Sequence, residues 1–486
     1  MVDPAHRKLR IALLTHSVNP RGGVVHVLEL GRALQAAGHA VTVMAPATPG
    51  QRFFRDTPCA VEYAPLGPAP AGAGGSLAAS VAHRIDAMRN HLGVTQAARR
   101  FDVLHAHDGI GGNALADLKA RGDIAGYVRT VHHVDHFPDE QVQAWETRSL
   151  RQAGLLLCVS RVWQQRLQRA HGLRAQRVHN GIDLQRYSPA RQPEDEAIAA
   201  QLGLSGASPI VLAMGGIEAR KNSLRLLQAF ILLRRGLPRA RLVIAGGASV
   251  LGHAGEVSAF HALMAGAGLQ PGPDVLLTGP VPDAQVPALY RSANVLAMPS
   301  LLEGFGLAAL EALACGTRAV VSRIAPFTEH FAPHGDVHWA DPVDAASIAA
   351  ALREAVALGR RTPPAVCGRF GWPASALRHA ALYRSFLQGD RMPAMHYQLR
   401  WPDASETTCY SPSLVIKDYF QPGAQYPLPD FLQRVREATQ IASDRVAAKY
   451  GFACSMAADQ LDTIEATAAR FADRPDARVQ VVAFQE

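Results

Sequence analysis

Short apolar runs that end in polar or glycine-containing turns recur along this chain, separated by stretches with apolar residues at helical spacing. Residues 10–14 (RIALL), 41–45, 103–106, 127–131 and 155–159 (LLLCV) have the length and apolar density of strands covered on both faces. Residues 24–37 carry apolar positions at i, i+3 and i+4, which predicts a helix ended by Gly38 and leaves Arg21, Gly22 and Gly23 in the loop before it. Another helix is predicted between Ser160 and His171. A second series opens at Pro209, with strands in PIVLAM, RLVIAG and DVLLTG and a helix running through Phe230. Strands alternating with helices in both series imply two parallel sheets.

The pattern is densest at residues 293–326. ANVLAMP (293–299) predicts a buried strand, residues 301–306 a loop, and LAALEALA from Leu307 a helix stopped at Cys315-Gly316. Glu303 then falls in the loop and Glu311 in the helix; on one ideal helix, eight residues apart, they would diverge by about 80°. A strand, a glycine loop and a helix N-terminus form a site where backbone N–H groups and the helix dipole hold phosphate. In an open α/β sheet ligands collect outside the carboxyl ends of strands, which puts His107, Asp108 and His132 on the functional edge of the first series. Adjacent His132 and His133 should face different ways. Asp108 suits the cap of the helix that follows it, and Asn180-Gly181 reads as a turn.

At 486 residues the chain exceeds one core, and two or three domains are expected. With 19% charged and 48% hydrophobic residues it is globular rather than disordered. No apolar run approaches the roughly 18 residues of a membrane span, and the IALL run near the N-terminus is too short for a signal peptide, so a cytoplasmic location is expected. Six scattered cysteines without a C-x-x-C pair read as free thiols, with no zinc site and no metal-ligand cluster in either half. The net charge of +8 favours anionic partners: a nucleotide, an acidic acceptor or an anionic membrane surface. No basic tract with interleaved aromatics points to nucleic acid. From Met392 the sequence holds nine basic and twelve acidic residues, a balance of −3, so the part before it carries +11. Residues 67–75 (GPAPAGAGG) read as a surface loop and 189–196 (PARQPEDE) as a polar linker. The first β-loop-α unit has no G-x-G-x-x-G, which argues against a nicotinamide enzyme.

Six motifs occur in order: RGG at 21–23, TVH at 130–132, HNGID at 179–183, EARKN at 218–222, GPVP at 279–282, and the E-x7-E of Glu303 and Glu311. With them, residues 9–387 resemble the family 4 glycosyltransferases, retaining enzymes of the GT-B fold. The resemblance implies an α/β protein of two Rossmann-like domains facing across a cleft, at residues 1–190 and 197–371, and a helix at 372–388 returning to the first domain. It implies that Glu303 contacts hydroxyls of a donor sugar, Glu311 holds a ribose, and backbone groups of Phe305, Gly306 and Leu307 meet sugar and phosphate. Lys221 would neutralise the diphosphate, Gly22 and Gly23 would approach it from the first domain, and His132 would lie by the sugar ring. Many members carry Arg after the first glycine of the 215–222 stretch; here Gly216 stands there, and Arg220 is the candidate replacement. Residues 392–486 resemble a small family of nitrogen starvation response proteins and read as a small α+β domain with a strand pair around Asp403, helices between Pro429 and Phe471, and a last strand in ARVQVVAF.

The resemblance implies a retaining transferase using a nucleotide-sugar donor, no cofactor and no metal, and a sugar, lipid or small-molecule acceptor. The basic first part permits peripheral contact at an inner membrane surface. Two other readings remain open at this point: a sugar-nucleotide-binding regulator acting through the C-terminal domain, and a glycoside phosphorylase.

Overall fold

The computed structural model describes residues 7–68, 76–97, 101–206, 209–247, 254–331, 335–388, 395–411, 413–450 and 455–485. The loop read at 67–75 lies outside these from residue 69 onward, as does Cys454. Residues 9–376 form one compact unit, and the chain from Leu377 belongs to another.

The first unit holds two sheets. Seven strands, β1 (Arg10–Leu14), β2 (Ala40–Ala47), β3 (Ala60–Pro65), β4 (Val103–Ala106), β5 (Val128–Val131), β6 (Leu155–Cys158) and β7 (Gln176–Arg177), pair in the order β3-β2-β1-β4-β5-β6-β7. Six more, β8 (Ile210–Met214), β9 (Arg241–Ala245), β10 (Val275–Gly279), β11 (Val295–Met298), β12 (Arg318–Ser322) and β13 (His338–Ala340), pair as β10-β9-β8-β11-β12-β13. Every pairing in both sheets is parallel. A parallel sheet needs apolar residues on both faces, and all four residues of β11 and residues 11–14 of β1 are buried. In each sheet the strand order reverses beside its first strand, between β1 and β4 and between β8 and β11. Crevices at such switch points are where α/β sheets bind ligands.

The structure departs from the sequence reading in several places. The first helix spans Gly22–Ala36, with Arg21 as its extended N-cap, so Gly22 and Gly23 are its first turn and not part of the loop. Glycine is a poor helix former, and the turn is set by packing of the helix's buried face, which includes Val24, Val27 and Leu28. Strand β3 and the helix Leu77–Ala97 were not read, because AVEYAP mixes a glutamate and a proline into its run and the helix shows no clean apolar stripe. The polar segment at 189–196 is not a free linker. Asp195 is 6% exposed and opens a helix (Asp195–Gln201), and both its oxygens lie 2.6 Å from the Arg291 guanidinium.

The second unit contains a four-stranded antiparallel sheet. β14 (Met395–Arg400) and β15 (Glu406–Ser411) form the pair around Asp403; β16 (Gln425–Pro427) and β17 (Arg478–Gln485) complete the order β15-β14-β17-β16. Met395, Tyr397 and Leu399 alternate inward along β14. They meet Phe431 and Val435 of the helix Leu428–Tyr450 and Ile464 of the helix Ser455–Ala468 in a core separate from those of the first unit.

Candidate active site

The ends of β8 and β11 supply the charged side chains. After β8 the chain turns at Asn222, whose φ of 63° is left-handed and whose amide donates to the carbonyls of Pro299 at 2.9 Å and Pro342 at 2.7 Å. That turn fixes Arg220 and Lys221 against the loop that leaves β11, where the Leu301 N–H donates to the Arg220 carbonyl at 2.9 Å. Lys221 Nζ lies 2.9 Å from Glu303 Oε2, and Arg220 Nη1 lies 3.8 Å from Glu303 Oε1. Burial alone would push the Glu303 carboxyl up. Lys221 and Arg220, with the Gly304 N–H donating at 3.1 Å, outweigh it and hold the group down at about 2. Arg220 and Lys221 thus face the two oxygens of one carboxylate.

Phe305 is 3% exposed, with its ring committed to the core between His330 and Phe370. Gly306 has φ 95° and precedes the helix Leu307–Ala314; a Cβ there would meet Phe327 at 2.6 Å. Only glycine satisfies both conditions. The Leu307 and Ala308 N–H groups have no carbonyl within the helix to bond, whereas the Ala309 N–H donates to the Gly306 carbonyl at 3.1 Å.

The first sheet contributes histidines. A Cβ on Gly23 would lie 3.6 Å from His132 Cδ2, whereas one on Gly22 meets nothing within 4 Å. His132 follows β5, His107 follows β4, and His26 sits on the first helix; one ring nitrogen from each falls within 4.8 Å of the others. His133 instead pairs with Asp135 at 3.1 Å. Asp108 is a cap, accepting the Gly111 N–H at 2.8 Å. Asn180-Gly181 is a buried junction and not a surface turn: Asn180 is 4% exposed and its Oδ1 lies 2.8 Å from His26 Nδ1.

The two sheets' edges meet at these residues. A Cβ on Gly304 would come closer than 3.0 Å to the carbonyl oxygen of His132. Trp163 Nε1 donates to the Glu303 carbonyl at 3.2 Å. The Glu329 carboxylate accepts the N–H groups of Arg161 and Val162, each at 2.7 Å, at the start of the helix Arg161–His171. Arg55 joins Glu29 of the first helix to Asp283, whose two oxygens it holds at 2.7 and 2.8 Å.

A model described as Glycosyltransferase Family 4 matches residues 20–186, one described as Glycosyl transferases group 1 matches residues 194–363, and one described as Nitrogen starvation-induced protein NitG matches residues 396–484. The chain carries the two domains of a family 4 glycosyltransferase, followed by a NitG domain. Among its relatives, a D-inositol 3-phosphate glycosyltransferase of Xylanimonas cellulosilytica is 29% identical over 432 residues, covering 78% of this chain and 97% of that protein. The fold is GT-B. Sucrose-phosphate synthase from Thermosynechococcus elongatus superposes with a TM-score of 0.64 at 23% identity, over 79% of this chain and 100% of that one. Anabaena HepE, solved with UDP-glucose, gives 0.58 at 19% identity over 78% of this chain and 100% of that one.

In this glycosyltransferase Glu311 has a different setting from Glu303. The Tyr290 hydroxyl donates to it at 2.8 Å, and Tyr187, edge-on to Tyr290 with ring centroids 6.1 Å apart, lies nearby. Burial pushes its carboxyl up, against the pull of both tyrosines and of the nearby Arg55 and Arg186. Tyr187, Tyr290, Trp163, Glu329, Arg55 and Asp283 were not read from the sequence. Two of them had a signal available: Tyr187 follows HNGID by four positions and Asp283 follows GPVP directly. No spacing announces the histidine triad, whose members are 81 and 25 residues apart along the chain. Among the described residues, the five cysteines are buried and in no disulfide, and no helix is long and apolar enough to cross a membrane.

Proposed function

We propose that this glycosyltransferase moves a sugar from a nucleoside-diphosphate donor to an acceptor with retention at the anomeric carbon. The observation that carries the reading is the convergence of Lys221, Arg220 and Glu303 from the second sheet on His132 of the first. An ionised Glu303 accepts hydrogen bonds from sugar hydroxyls. Lys221 spends one of its three donors on Glu303 and offers the others to a phosphate oxygen, where its charge gains value as the diphosphate departs. The N-terminal amides at Gly306 and Leu307 and the first turn at Gly22 and Gly23 add donors from either side. Glu311, with one oxygen held by the Tyr290 hydroxyl, receives the ribose. His132 borders the sugar ring, and its carbonyl lies at the Gly304 turn.

HepE's complex with UDP-glucose supports a donor of this class. The relatives that act on D-inositol 3-phosphate make that compound the first acceptor to test. In this reading the protein works in the cytoplasm, and its basic portion allows contact with an anionic membrane surface. The test is incubation with a panel of nucleotide sugars and acceptors, following nucleoside diphosphate release and product anomeric configuration by NMR. A product with the donor's configuration supports the proposal, and an inverted product overturns the mechanism.

A further inference from the structure

We propose that His26, His107 and His132 form a binding site for a divalent first-row transition cation, and that a cation held there takes His132 away from the donor sugar.

The three side chains come from three separate elements, so their meeting is a property of the fold. His107 Nδ1 and His132 Nε2 are 3.3 Å apart. That is long for a hydrogen bond between imidazoles. It equals the edge of a tetrahedron whose metal–nitrogen bonds are about 2.0–2.1 Å. His26 stands edge-on to His132, with ring centroids 4.7 Å apart, and 5.1 Å from His107. Asn180 Oδ1 can only accept, so the hydrogen bond at 2.8 Å puts the His26 proton on Nδ1 and the lone pair on Nε2. Metal-ligating histidines are oriented by a carbonyl oxygen in this same way. His105, its ring tilted 36° to that of His107 with centroids 4.0 Å apart and bonded to Thr130 Oγ1 at 2.7 Å, supports the second ligand.

Burial holds His26 down at about 4 and His132 well below its ordinary value, so both imidazoles are neutral at physiological pH, as ligands must be. Binding needs the tautomers with the proton on His132 Nδ1 and on His107 Nε2; each ring keeps one proton and none is released. Three imidazoles, with water as a fourth ligand, suit Zn²⁺ or Co²⁺. Metal binding stands on this geometry alone. The inhibitory clause rests also on the sugar-site role proposed for His132.

The full-length protein, stripped with a chelator, is titrated with Co²⁺ under visible absorption and with Zn²⁺ by calorimetry. One equivalent should bind with the spectrum of four-coordinate Co²⁺, and His26→Gln and His107→Gln should each weaken it by ~100-fold or more. Wild-type protein that gives no such spectrum overturns the site without recourse to a variant. Folded variants, checked by thermal unfolding, that bind as tightly as wild type overturn it as well. Donor turnover is then measured with Zn²⁺ and after chelation. Reversible inhibition supports both clauses, whereas binding without inhibition supports the site and overturns the placement of His132 at the sugar.

Discussion

The carbonyl oxygen of His132 occupies the space that a side chain on Gly304 would need, at a distance under 3.0 Å. The obstacle is backbone, which cannot rotate away. Gly304→Ala should displace the Glu303 loop from the first sheet and lower kcat/KM by ~100-fold, the scale expected when a reacting constellation shifts by about 1 Å. Steady-state kinetics checks this, and a variant within threefold of wild type would show that the loop and His132 do not act together.

Lys221 and Glu303 hold each other at 2.9 Å, so each variant tests a different quantity. Lys221→Ala should weaken nucleoside diphosphate binding by ~10- to 100-fold, read by calorimetry. Glu303→Gln should leave that affinity nearly unchanged while reducing kcat/KM by ~100- to 1,000-fold, because the lost interaction is with sugar in the transition state. Loss of diphosphate affinity in both variants would mean the pair serves the phosphate only.

Arg55 and Asp283 are 7% and 11% exposed and bridge the first sheet's domain to the second's. Asp283→Asn leaves Arg55 with Glu29 alone and takes the carboxylate from the partly exposed Arg186. A stability loss of about 1–3 kcal/mol is expected. A double-mutant cycle with Arg55→Met should recover part of it, and simple additivity in denaturant titrations would show that the bridge carries no coupling.

His330 lies against Phe305 and Phe370, and burial, with Arg177, His179 and Arg369 near, lowers its pKa from 6.5 to about 3. The unfolded chain takes up a proton as pH falls below 6.5, and the folded chain does not until about 3. Stability is therefore lost as pH drops through that window, by about 2 kcal/mol at pH 5. His330→Phe should flatten the dependence of Tm on pH between 6.5 and 4. An unchanged slope would assign the acid sensitivity elsewhere.

The NitG domain has its own core, built from β14, β17 and the helix Leu428–Tyr450. Residues 392–486 expressed alone should unfold cooperatively in denaturant, and residues 1–391 should retain transfer activity. A C-terminal fragment without a cooperative transition would make its folding dependent on the rest of the chain.

Strands such as β11 were legible because four apolar residues bounded by Pro299 allow little else, and the helix from Leu307 because alanine and leucine dominate it. The division of Glu303 into the loop and Glu311 into the helix followed from the same pattern. What pairs with each glutamate was not legible: Lys221 is 82 positions before Glu303, and Tyr290 reaches Glu311 from the helix before β11, 21 positions away. Such meetings depend on strand order, which periodicity does not encode. The helix start at Gly22 was missed for the opposite reason, since its local preference is overruled by packing.

The helix Arg161–His171 begins at Ser160, whose side chain makes no capping bond; the cap is Glu329, drawn from the other side of the cleft. Its stability is thus borrowed across the cleft, and any parting of the two lobes strips two charge-assisted bonds from its first turn. Amide exchange at Arg161 and Val162 becomes a clock for that motion, running fast when the lobes separate and slow when a bound donor keeps them together.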